Sequence, residues 1–155
     1  MRQCQYADAV KTRNLILTVL VVFAGLTSGC SFSREWKSAS RQPATPRDLT
    51  GAWVGTWQNS NNSHHDQLKA VITRVSETEY HARFKAWWLG IISGTFDVTL
   101  AGEWAGDEFH FRGNQDVMGW EIAQTGWLTS TQFNSKYSSM DYRGTFTLER
   151  PPAAK

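Results

Sequence analysis

The sequence predicts an all-β domain, an antiparallel meander of about eight strands closed into a small barrel, placed after an N-terminal signal helix and a flexible tether. Three observations carry this. Apolar residues recur with a period of two from Leu49 onward, turn-forming residues return about every 12 positions, and a Gly-x-aromatic spacing repeats along the domain.

The chain begins with a positive stretch, Arg2, Lys11 and Arg13, diluted only by Asp8. Leu15 to Leu26 then forms a 12-residue apolar core, the length of a signal h-region rather than of a membrane span, which needs about 20 apolar residues. The small residues Thr27, Ser28 and Gly29 lead into Cys30. This layout resembles the signal and lipobox of a bacterial lipoprotein precursor, with Leu26 one place earlier than the leucine such signals usually carry. The resemblance implies that residues 1–29 are removed and that Cys30 becomes the lipid-bearing first residue. The implied location is exported and anchored to a bacterial membrane, with Ser31 pointing to the outer membrane. An uncleaved N-terminal anchor and plain secretion are the alternatives, and both also export the domain. Cys4 lies in the signal and Cys30 would carry lipid, so no cysteine pair is left for a disulfide.

Residues 30–48 read as a lipidated tether, Ser-rich, with Pro43 and Pro46 and no sustained apolar period. Arg34, Lys37, Arg41 and Arg47 against Glu35 and Asp48 give it a charge of +2. Over residues 49–150 the balance is 8 basic against 11 acidic side chains, a net −3. No nucleic-acid partner is expected, because such partners demand a basic face. Residues 151–155 form a short C-terminal tail.

Strands are expected near 51–58, 66–75, 79–88, 94–104, 107–115, 119–128, 131–137 and 142–150. Tyr80-Ala82-Phe84-Ala86-Trp88 alternates with His81-Arg83-Lys85, and Phe96-Val98-Leu100 with Asp97-Thr99. Phe109-Phe111 and Phe146-Leu148 continue the pattern. Gly51-x-Trp53, Gly55-x-Trp57, Gly94-x-Phe96, Gly102-x-Trp104 and Gly144-x-Phe146 put a glycine and an aromatic on one face. Such pairs suit the sharp bends of a closed barrel. An open sandwich of the same strands is the alternative, since periodicity does not report closure.

Gly51-x-Trp53 at the first strand and Arg150 at the last resemble the ends of calycin-type barrels, the lipocalins and avidins. The stretch Phe133 to Arg150 is also similar to uncharacterised bacterial envelope proteins of like length. The calycin resemblance implies a small apolar ligand. On that reading Trp53, Trp57, Phe84, Trp88, Trp104 and Trp120 line the pocket. An eight-stranded barrel is just wide enough for side chains or one small ligand, so the same aromatics can equally fill it as a core.

Trp87-Trp88-Leu89-Gly90-Ile91-Ile92 breaks the alternation. Burial is the ordinary fate of such residues, so a plug closing the barrel end is expected. As the alternative, Trp87, Leu89, Ile91 and Ile92 form a patch for a membrane or a partner.

The polar chemistry is sparse. His64-His65-Asp66 reads as a solvated turn, because adjacent strand residues point to opposite faces and rarely share a metal. No nucleophile elbow is present, and Asp97, Glu103, Glu108 and Glu121 are scattered. The expectation is no enzyme, no metal and no cofactor. The leading functional reading is a lipid-anchored cell-envelope protein that carries or senses a small apolar ligand. The alternative is an envelope protein-interaction module with a packed barrel and no ligand.

Overall fold

A computed structural model describes residues 31–42, 47–117, 120–140 and 142–152. The chain divides into two units, Met1–Arg34 and Glu35–Lys155. Cys30 and the signal segment lie outside the described residues.

Eight strands run in order: β1 (Gly51–Asn59), β2 (His65–Arg74), β3 (Glu79–Trp88), β4 (Ile92–Ala105), β5 (Glu108–Val117), β6 (Trp120–Leu128), β7 (Gln132–Ser138) and β8 (Arg143–Glu149). Each pairs antiparallel with the next, and β1 pairs with β8, so the meander is a closed barrel rather than an open sandwich. Closure satisfies both edges that an open meander would expose. The seam runs from Val54 opposite Glu149 to Asn59 opposite Gly144.

In this topology the β1–β2, β3–β4, β5–β6 and β7–β8 links all lie at one end, here called the far end. The start of β1 and the other three links lie at the near end. Alternation sends Trp53, Leu68, Ala70, Ile72, Tyr80 and Ala82 inward, each at most 2% exposed. Phe84, Val98, Leu100, Phe109, Leu128 and Phe133 join them in one continuous core.

The segment expected to be a flexible tether is helical over residues 31–39 (α1). Within the second unit its residues hold the barrel wall. Trp36 Nε1 donates to the Trp53 carbonyl at 3.1 Å, and Glu35 pairs with Arg83 at 3.1 Å. Lys69 Nζ sits 4.3 Å from the centroid of the Trp36 ring. A helix this short is not stable by itself, so partners on β1, β2 and β3 decide its conformation. Composition could not foresee them.

Candidate functional site

The near end is sealed by Arg150 and Trp53. The Arg150 guanidinium lies 4.1 Å from the centroid of the Trp53 ring. Its three nitrogens donate to Ser130 O at 2.9 Å, Thr50 O at 2.6 Å and Asp48 O at 2.6 Å. Burial draws its pKa below the usual arginine value, and the Asp48 carboxylate opposes that shift. An arginine in this position remains charged, so the contact is a cation stacked on an aromatic face. The tryptophan–arginine pairing implied by the calycin resemblance is therefore in place.

From that seal a chain of rings runs through the interior. Trp53 meets Phe133 at 6.5 Å, Phe133 meets Phe84 at 5.8 Å, and Phe84 stacks on Phe96 at 5.2 Å. Phe96 continues to Phe146 at 6.3 Å, and Phe146 to Tyr137 at 5.0 Å. Burial raises the pKa of the Tyr137 phenol above its usual value.

The sequence-predicted lining residues are spread along the barrel rather than gathered on one wall. Trp53 and Phe84 are fully buried in the core. Trp104 is half-buried at the near end against Phe109, at 5.6 Å. Trp57 and Trp88 meet at 6.2 Å toward the far end. The side chain of Trp120 lies outside the described residues. Two of the indole N–H groups are already used: Trp53 donates to Leu49 O at 3.1 Å and Trp57 to Trp87 O at 2.8 Å. A ligand entering the barrel would find neither free.

Alternation also brings polar groups inside that the sequence reading passed over. Gln115, Gln124 and Ser135 are buried. Gln124 Nε2 donates to Ser135 Oγ at 2.7 Å, while the side-chain oxygens of Gln115 and Gln124 have no hydrogen-bond partner. The signal was present: Gln115 is in phase with Phe109 and Phe111, and Gln124 with Leu128. On the outer wall an open groove is lined by Glu103, His110, Arg112, Trp127 and Lys136.

The plug expectation is overturned at the β3–β4 turn. Leu89, Ile91 and Ile92 are 71%, 83% and 60% exposed. β3 and β4 stay paired out to Trp88 opposite Ile92, so the segment is a projecting hairpin that cannot fold back into the barrel. Leu89 and Gly90 both have positive φ, 55° and 70°, the signature of a type I′ turn. Asn-Gly is favoured there, and leucine in this conformation costs about 1 kcal/mol. Trp87 points outward and is half-buried between Lys69 Nζ at 5.8 Å and Lys85 Nζ at 5.1 Å.

Asp66 braces the turn. Its Oδ2 accepts from the Gly90 N–H at 2.8 Å and its Oδ1 from the Gln67 N–H at 2.7 Å. These backbone donors, Gln67 first and Gly90 second, hold its pKa below the ordinary aspartate value. A depressed carboxylate keeps its contribution above the unfolded pKa and loses it as pH falls through the folded one. The Gly90 amide shift should therefore titrate by NMR with a midpoint below that of a free aspartate. A midpoint at the free value would mean that the bond does not persist in solution.

His64 packs against Trp57 at 5.2 Å. On the outer wall Asp97 faces His81 at 3.2 Å, and Glu108 faces His110 at 2.9 Å.

No protein-family model matches the sequence, and no curated protein matches it either. Among solved structures, the chain is similar to the fluorescent protein UnaG, in a crystal structure of an asparagine-to-alanine mutant. The TM-score is 0.40 at 9% identity, over 66% of this chain and 96% of that one.

Proposed function

We propose that the protein is a non-enzymatic interaction module of the bacterial envelope, exported and held at a membrane by lipid on Cys30, with a packed barrel as its scaffold. The observation that carries this reading is the continuous aromatic core inside the barrel. A continuous chain of rings occupies the barrel, and the Trp53 and Trp57 indole N–H groups are spent on backbone carbonyls. A carrier needs the opposite, apolar walls with free polar groups aimed at a cavity. Function then falls to the surface, where the large exposed apolar side chains of the β3–β4 hairpin stand out.

A second reading, the carrier of a small apolar ligand, is favoured by one observation. The unpartnered oxygens of Gln115 and Gln124 are the kind of buried acceptor that a ligand donor would satisfy.

Native mass spectrometry of residues 31–155, purified without detergent, separates the two. The segment starts at Ser31 so that the contacts of Glu35 and Trp36 are retained. A bare polypeptide mass is the expected outcome. A reproducible extra mass of a few hundred daltons, lost on denaturation, would overturn the packed-barrel reading in favour of the carrier.

A further inference from the structure

We infer that the far end of the barrel seats on an anionic lipid bilayer, with the β3–β4 hairpin as the inserting element. This rests on the reading of the protein as a surface-acting module and names what the surface contacts. The first observation is the distribution of apolar side chains. Among the described residues the exposed large hydrophobics are Val75, Leu89, Ile91, Ile92, Met140 and Tyr142. All but Val75 lie at the far end, on the β3–β4 and β7–β8 links. The near-end links carry Glu77 and Asp107 instead, both strongly exposed. The exposed large apolar side chains are thus concentrated at one end of the barrel.

The second observation is charge. Lys69 and Lys85 are directly opposed across β2 and β3, an arrangement that repels. Among the described residues neither is in an ion pair, and their ammonium groups lie over the faces of Trp36 and Trp87. Arg143 is exposed at the start of β8, at the same end. Asp66 is the acid nearest the tip, its carboxylate engaged by the Gln67 and Gly90 amides, while Asp116 and Glu121 stand exposed opposite each other on the neighbouring β5–β6 hairpin at the same end. An apolar tip, an aromatic behind it and basic groups behind that is the order in which a bilayer presents acyl chains, interface and anionic headgroups.

The third observation is Leu89 itself. A leucine holds a left-handed position where asparagine would be easier, and its side chain gains no burial in return. Backbone strain of this kind is retained where the strained residue has a task. Leu89→Asn should therefore stabilise the fold while weakening its contact with lipid, which separates the role from folding.

The test uses the full chain, held on vesicles of phosphatidylglycerol and phosphatidylethanolamine by its apolar N-terminal stretch. In a Cys4→Ser, Cys30→Ser background, a fluorophore is placed through Ser93→Cys at the tip or Asp107→Cys at the opposite end. Brominated lipid should quench the first label and not the second. Tip quenching should fall about tenfold in Leu89→Asn with Ile91→Thr, whose melting temperature should not drop. It should also weaken in Lys69→Gln with Lys85→Gln, and in vesicles of neutral phosphatidylcholine.

Equal quenching at both ends, or none at the tip, would overturn the proposal. So would quenching that survives the hairpin substitutions. A tip label shielded from aqueous iodide in cell envelopes but untouched by brominated lipid would assign the hairpin to a protein and overturn the bilayer. A ligand in the native mass spectrum would remove the packed-barrel reading and leave the quenching result standing, so the two failures are distinguishable.

Discussion

Arg150→Met is expected to destabilise the barrel by about 3 kcal/mol, seen as a fall of about 10 °C in melting temperature. Methionine keeps much of the length and apolar bulk of the arginine stem, so the loss is mainly that of the guanidinium. Three carbonyls, of Asp48, Thr50 and Ser130, then lose their donors at once. Each unsatisfied group costs about 1–3 kcal/mol when water cannot reach it, and half-burial allows partial rehydration, which sets the estimate near the lower end. The Trp53 face loses its cation as well, worth about 1 kcal/mol at a half-buried site. Arg150→Lys should recover little, because an ammonium cannot donate in three directions in one plane while stacking on a ring. Thermal melts of the three proteins decide it. Equal melting temperatures for wild type and the methionine variant would show that the seal is not needed.

The barrel was legible because its strands are half-buried in the ordinary sense, with one face apolar and one polar. β3 was foreseen over 79–88 and is Glu79–Trp88; β1, β2, β7 and β8 fall within a residue of expectation at each end. The Trp53–Arg150 contact was legible only through resemblance, since nothing local links residues 97 positions apart. Two features were hidden for physical reasons. The helix from Ser31 has no apolar period, and its stability comes from Trp53, Lys69 and Arg83, which are distant in sequence. The fate of Leu89 to Ile92 turned on hairpin geometry. A run of apolar residues signals burial unless the paired strands beneath it carry it outward, and composition does not encode that projection. Gln115 and Gln124 were readable from phase, but phase does not say that their oxygens go unpartnered.

Gly55→Ala and Gly144→Ala should each prevent the barrel from closing, at a cost of about 3 kcal/mol or more. Both glycines stand on the β1–β8 seam, the one pairing that turns a meander into a barrel. A Cβ on Gly55 would overlap the Thr147 carbonyl oxygen and come within 2.7 Å of Leu148 Cα. A Cβ on Gly144 would overlap the Gln58 carbonyl oxygen and the Tyr137 ring. In both cases the first obstacle is backbone of the paired strand, which cannot rotate away as a side chain can. The strands must separate, and separation exposes two unpaired edges. The variants should therefore be less stable and also prone to associate through those edges, with lost seam-amide protection in hydrogen exchange. Gly106→Asn is the control. It lies at a turn with φ of 67° and nothing within 4 Å of its Cβ, where asparagine is tolerated. If Gly106→Asn is mild while both seam variants open the barrel, close approach across β1–β8 is what holds it shut. If the seam variants melt like the wild type, the strands are further apart in solution, and the interior has room that a ligand could use.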